Sequence, residues 1–283
     1  MDFAFTNDDA GGELNEERAV ACFQRIIDFL DRQEVKGTFF WIPRSRGAGW
    51  APGCERERWM AALRDAVSRG HDVQLHLSLG YLLGYPMRDP EERRRFGAWS
   101  LRERLEDAIR LYETGFGAKP WMLRPHGDFR FYKFPRDFER DVARIFAPLV
   151  QAGLRHISLP LGMSLAAFGA GKPSEELTIP LRHESGVVNY PWVVEDCTPR
   201  RSKRLDGSLA EGETEWTFDQ WLQTARDAVD RHRTRNAGIG LINSHWHVMC
   251  RDWGQTQRFY ELLFDHIRKN GCRLSPLRVS GAS

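Results

Sequence analysis

Two adjacent carboxylates, Asp8 and Asp9, close an apolar run near the start of the chain, and Gly11 and Gly12 follow them. Neighbouring carboxylates repel, so keeping them together calls for a cation or a proton between them. A solvated turn uses the same residue types, so the pair has to be weighed against the rest of the chain. Other residues capable of chemistry recur where apolar or β-branched runs end. His76 falls near the end of one run, Arg124 precedes Pro125 with His126 beyond it, and Glu195 and Asp196 follow a third. His245 ends a late run, with His247 two residues on. One histidine at a strand end is usually structural. Carboxylates, imidazoles and an arginine at successive strand ends have the composition of a hydrolytic metal site.

Parallel strands must carry these groups if they are to converge, because chemistry in α/β folds sits at the C-terminal ends of the strands. After the glycine pair, Ala19, Val20, Phe23, Ile26, Ile27 and Leu30 recur at helical spacing, which predicts a helix over about 13–33. Residues 36–43 read as a strand stopped by Pro43, 56–69 as a helix, 71–77 as a strand, and 79–97 as an irregular insertion. Ser100 with Glu103 predicts a capping box that opens a helix through Tyr112. Strands follow at 120–127, 154–159, 177–181, 187–194 and 238–245. Helices are expected at 138–151, around 218–229 and around 259–267, and 203–215 reads as a polar loop. About seven strand–helix units predict a single α/β domain over 1–283, in the form of a distorted (β/α) barrel. No GxGxxG or P-loop follows the first strand, which argues against nucleotide-binding folds.

The bulk numbers exclude some partners. The 283 residues carry 41 Lys plus Arg against 39 Asp plus Glu, a net charge of +2, which gives no case for nucleic acid. The apolar runs are too short to span a bilayer. No basic segment followed by an apolar core opens the chain, so the expectation is a cytoplasmic protein. The five cysteines show no CxxC spacing, and reduced thiols are expected. Most of the 10 Trp and 17 Phe should pack the core, with some free to face a sugar ring.

Five segments come in a telling order: Thr6-Asn7-Asp8-Asp9, Lys36-Gly37-Thr38-Phe39-Phe40, Gly70 through His76, Leu123-Arg124-Pro125-His126-Gly127, and Leu241-Ile242-Asn243-Ser244-His245. Together they resemble the landmarks of polysaccharide deacetylases with the NodB-homology domain (carbohydrate esterase family 4), across roughly residues 1–268. More loosely, they resemble the branch linked to bacterial O-antigen and surface polysaccharide synthesis. The resemblance implies removal of an N-acetyl group from an acetylated sugar or polysaccharide precursor by a metal-activated water, with Zn2+ the default metal. By motif position, Asp8 corresponds to the general base, Arg124 to the residue that orients it, and His245 to the general acid. Asp9 and His76 correspond to metal ligands, and His71 to a position that is not a ligand.

The chain departs from the pattern at the second metal histidine, where Ser78 and Gly80 stand. His126 is the candidate replacement, set against a role in merely lining the pocket. Asp196, His247 and Ser78 are candidates for binding or orienting substrate, Asp196 by holding His245 in its protonated form. Because of the missing histidine, two alternatives stand beside the deacetylase: a metal-independent C–N hydrolase on the same barrel, and a catalytically inactive carbohydrate-binding protein.

Overall fold

The computed structural model describes residues 1–11, 16–44, 53–83, 94, 97–126, 144–158, 181–190, 192–195, 217–235 and 238–277. Its elements are, in order, β1 (Asp2–Ala10), α1 (Glu16–Arg32), β2 (Thr38–Trp41), α2 (Glu57–Ser68), β3 (Asp72–Ser78), α3 (Leu79–Leu83), α4 (Leu101–Phe116) and β4 (Met122–His126). After a helical stretch at 144–151 come β5 (His156–Ile157), β6 (Leu181–Arg182), β7 (Val188–Asn189) and β8 (Trp192–Glu195). The chain continues with α5 (Phe218–Thr234), β9 (Gly240–His245), α6 (Trp246–Met249), α7 (Trp253–Lys269) and β10 (Arg273–Leu274).

Among the described residues, one sheet carries all the strands in the order β6-β7-β5-β4-β3-β2-β1-β9-β8, with β10 paired to β1. Eight strands along that path run parallel, and only the β6–β7 pair is antiparallel. The sheet curls into a half-barrel whose outer face is covered by helices, which is the distorted (β/α) architecture expected from the sequence. Parallel strands buried on both faces read as near-continuous apolar runs, and their alternation sorts two cores. Phe3 and Phe5 of β1 face the helices, where Phe5 meets Tyr260 and Phe264 edge-on. Ala4 faces inward and packs with Phe40, Met122, Val188, Tyr190 and Leu241 at the bottom of the barrel. The same inward face continues upward as Thr6 and Asp8, so the period of two sets the site above an apolar plug.

Several expectations need correction. Residues 187–194 are not one strand: β7 pairs with β5 at one side of the sheet, while β8 pairs with β9 at the other. The sequence carries Pro191 between these halves, and proline cannot donate to a continuous ladder. The start of the expected insertion at 79 forms α3, a short helix directly after β3. Its Tyr81 hydroxyl donates to Asp107, which also takes a two-pronged bond from Arg44, so the turns after β2 and β3 are tied to α4. The capping box forms as expected: Ser100 Oγ accepts from the Glu103 amide and Glu103 accepts from the Ser100 amide. The loop expected at 203–215 lies outside the described residues.

The thiols differ as well. Cys22 of α1 and Cys250, just after α6, form a disulfide across 228 residues with Cα atoms 6.2 Å apart, whereas Cys54 and Cys272 are reduced thiols, as expected. Sequence spacing cannot reveal a pair brought together only by the closing of the sheet. Most tryptophans serve the core: Trp41 and Trp59 are fully buried. Among the described residues no helix is long and apolar enough to cross a membrane.

Candidate active site

Asp8 and Asp9 both reach one site because β1 bulges beneath them. Pairing with β2 runs Asn7 to Phe39 and then Ala10 to Trp41, so β1 holds one residue more than its neighbour. Asp9 takes up the excess in the left-handed region, at φ 70°. That conformation is uncommon for a residue with a Cβ and turns its side chain back toward the face that Asp8 already occupies. The indole Nε1 of Trp246 donates to the Asp9 carbonyl at 2.7 Å and fastens the bulge to α6. Gly11 completes the turn at φ 106°, and a Cβ there would lie 2.6 Å from the Trp41 ring.

Asp8 is 2% exposed and sits opposite His245 in the β1–β9 register. One of its oxygens pairs with the Arg124 guanidinium. The other accepts from Asn243 Nδ2 at 3.3 Å and lies 3.8 Å from His245 Nε2. Arg124 is itself 1% exposed. Its Nη2 donates to Thr6 Oγ1 at 3.2 Å and to Ser158 Oγ at 2.9 Å, its Nη1 also donates to Asn243 Oδ1, and its plane covers the Phe40 ring at 3.8 Å. Asp8 is therefore a carboxylate fixed by one cation and one amide, facing an imidazole on the next strand.

Asp9 is bracketed by two imidazoles. His76 Nε2 lies 3.1 Å from Oδ1, and His247 Nδ1 lies 3.5 Å from Oδ2. His76 Nδ1 is 2.9 Å from the Arg124 carbonyl. A carbonyl only accepts, so Nδ1 carries the proton and Nε2 is the nitrogen turned on Asp9, an orientation typical of metal-ligating histidines. His76 sits beside Arg124 in the β3–β4 register, so Asp8, His76 and Arg124 occupy one cluster.

His71 lies away from this cluster, as expected. Its Nδ1 accepts from the Gly37 amide at 3.0 Å and its Nε2 faces Asp31 at 3.2 Å. Burial lowers its pKa to about 4, against the pull of Asp31.

The other expected site residues separate. Ser78 Oγ accepts from the Tyr81 amide at 3.4 Å and so caps α3. His126 ends β4 beside Ser78 in register, and its side chain lies outside what the structure describes. The same holds for Asp196 and for the Glu195 side chain. Sequence reading missed Asn243 and Thr6, neutral polar residues inside buried strands, and Ser158, which directly follows β5. The signal was available as period-two pairs, Thr6 with Asp8 and Asn243 with His245, each on one strand face.

No protein-family profile matches the sequence, and no curated protein matches it. Among solved structures, the chain is similar to one described as a polysaccharide deacetylase from Mycobacterium smegmatis, with TM-score 0.54 and 16% identity, over 99% of this chain and 93% of that one. It is also similar to PuuE allantoinase, with TM-score 0.54 and 14% identity over 95% and 90% of the two chains. A third similar structure is a GH57-type branching enzyme from Pyrococcus horikoshii, with TM-score 0.53 and 9% identity over 97% and 68%. At these identities the likeness is one of fold, and it places this chain among distorted (β/α) barrels.

Proposed function

We propose that the protein is a hydrolase of the polysaccharide deacetylase kind, removing an N-acetyl group from an acetylated sugar or polysaccharide precursor. The observation that carries this reading is the Asp8–His245 pair: a buried carboxylate, oriented by Arg124 and Asn243, opposite an imidazole at the C-terminal ends of adjacent strands. The motif resemblance adds the substrate class, and more loosely the precursors of bacterial surface polysaccharide such as O-antigen.

Asp8 takes a proton from an attacking water as general base. The water oxygen adds to the acetyl carbonyl carbon and gives a tetrahedral oxyanion. His245, protonated, then donates to the sugar nitrogen as the C–N bond breaks, and acetate and a free amine leave. An amine without that proton is a poor leaving group, so an acid must stand near the base. Arg124 and Asn243 hold the carboxylate so that its free lone pairs face the substrate side, and Phe40 beneath the guanidinium keeps water from that flank.

The donors near Asp9 fit a divalent ion in kind. Asp9 and His76 would hold it, and His247 stands at the other carboxylate oxygen. Among the described residues, however, no group of three or more His, Cys, Asp or Glu side chains is arranged to hold a metal ion. A bound Zn2+ would supply Lewis-acid polarisation of the carbonyl and a lowered water pKa.

Ser78 and Gly80, standing where the motif pattern has its second metal histidine, favour a second reading, a metal-independent C–N hydrolase on this site. The test is acetate release from N-acetylated amino sugars, with enzyme far below substrate, before and after chelation and dialysis. Release abolished by chelation and restored by Zn2+ supports the metal-dependent deacetylase. Undiminished release supports the metal-independent one, and no release from any acetylated glycan contradicts both.

A further inference from the structure

The half-barrel has an open side, and one hydroxyl bonds to both of its edges. Among the described residues β8 ends the strand order at one edge, β5, β7 and β6 lie at the other, and no backbone ladder joins the two. The chain itself brings the edges close. Tyr190, just after β7, and Trp192, the first residue of β8, are separated in sequence by Pro191 alone. Two peptide steps reach no further than about 7 Å, so the edges meet at this point. Ser158 directly follows β5 and is fully buried. Its Oγ accepts from Trp192 Nε1 at 2.8 Å and from Arg124 Nη2 at 2.9 Å. Both of those groups can only donate, so the hydroxyl proton goes to the Tyr190 carbonyl at 2.9 Å. One donor and two acceptor positions are all in use, which leaves the hydroxyl no freedom to rotate. Trp192 meets the arginine a second way: the guanidinium carbon lies 4.9 Å from its ring, in addition to the Phe40 contact at 3.8 Å. The other terminal nitrogen, Nη1, holds Asp8. A guanidinium is planar and rigid, so pinning Nη2 sets the direction in which Nη1 meets the carboxylate.

We propose that Trp192 is a positioning residue of the hydrolytic site: through Ser158 it fixes the Arg124 guanidinium, and with it the aim of the Asp8 carboxylate, and the same bond closes the open side of the barrel. The inference rests on the hydrolase reading for its effect on rate and on the Trp192–Ser158–Arg124 contacts for the link itself. Trp192 is only partly buried, so the competing role is a ring stacked on the sugar. The two roles separate kinetically. A ring that binds substrate and transition state alike changes KM, whereas a group that aims the base changes kcat.

The test has two parts. Steady-state acetate release from an N-acetylated sugar is measured for wild type, Trp192→Phe, Ser158→Ala and the double variant. Phenylalanine keeps an aromatic ring beside the arginine and removes the N–H donor. Trp192→Phe is expected to lower kcat about tenfold with KM within about twofold of wild type, and Ser158→Ala to lower kcat at least as much. Because Trp192 acts through Ser158, the double variant should be no slower than Ser158→Ala. An unchanged kcat in Trp192→Phe, a raised KM alone, or losses that multiply in the double variant overturns the proposal. Trp192→Phe decides alone if Ser158→Ala does not fold. The link is also read without activity, in the nitrogen–proton correlation spectrum of the indoles, where the Trp192 peak is assigned by its loss from Trp192→Phe. That peak should exchange slowly with solvent in wild type and move in Ser158→Ala. A peak that stays in place overturns the proposal whatever the rates. A peak that moves, with no acetate released by wild type, keeps the link and refutes the hydrolase reading.

Discussion

Replacing Arg124 by methionine removes the cation from a carboxylate that has almost no water. The Asp8 and Arg124 side chains are 3% and 1% exposed. Leaving one partner of a buried pair uncompensated costs about 3–5 kcal/mol. Loss of the guanidinium over Phe40 adds to this, while Thr6 and Ser158 keep other partners and add little. Arg124→Met should therefore lower the unfolding free energy by about 3–5 kcal/mol. Asp8→Asn alone strands the guanidinium instead and should cost a similar amount. In the double variant no buried charge is left, so it should be more stable than the sum of the two single losses by at least about 2 kcal/mol. Urea unfolding of the four proteins, read by tryptophan fluorescence and circular dichroism, measures this coupling. Additivity to within about 0.5 kcal/mol would refute the claim that Arg124 is there to hold Asp8.

Three further outcomes follow from other parts of the fold. The His71 pKa of about 4 lies below its ordinary 6.5, so between those values the unfolded chain binds a proton that the native state refuses. Stability should fall as pH drops through that window, by up to about 3 kcal/mol, and level off below it; His71→Asn should flatten that slope in acid titrations of unfolding, and an unchanged slope would contradict the assignment. Because Asp9 holds φ 70°, Asp9→Gly should be more stable than Asp9→Ala by about 1 kcal/mol in thermal melts, and equal stability would deny strain at the bulge. Breaking the Cys22–Cys250 tether by Cys250→Ser should cost about 2–4 kcal/mol in the same melts, and a wild-type stability indifferent to reductant would show that the bond does not form in solution.

The site was legible wherever chemistry sat at the end of a strongly patterned strand. Asp8 and His245 each follow a short apolar run, and the sheet pairs those strands directly. Asp9 could be named from the sequence, but the bulge that aims it depends on pairing with β2, which no local pattern encodes. His247 was read only as a residue near substrate, because a position two beyond a strand end says nothing of the helix turn that swings it toward Asp9. Asn243 and Ser158 escaped because neutral polar residues in or just after buried strands look like interruptions until register shows what they hold. The disulfide was invisible for a similar reason: its partners meet only when α1 and the turn after α6 close on each other. The split of 187–194 was signalled by Pro191 and hidden by the unbroken apolar run around it.

The central claim is that Asp8 acts as base in hydrolytic removal of an acetyl group, and the rate of acetate release by wild type and Asp8→Asn tests it most directly. The measurement uses an N-acetylated sugar substrate, enzyme far below substrate, and a variant whose circular dichroism matches wild type. The account predicts many turnovers for wild type and a loss of about 100- to 10,000-fold in the variant. Comparable rates in the two proteins, or no release by wild type, would contradict it.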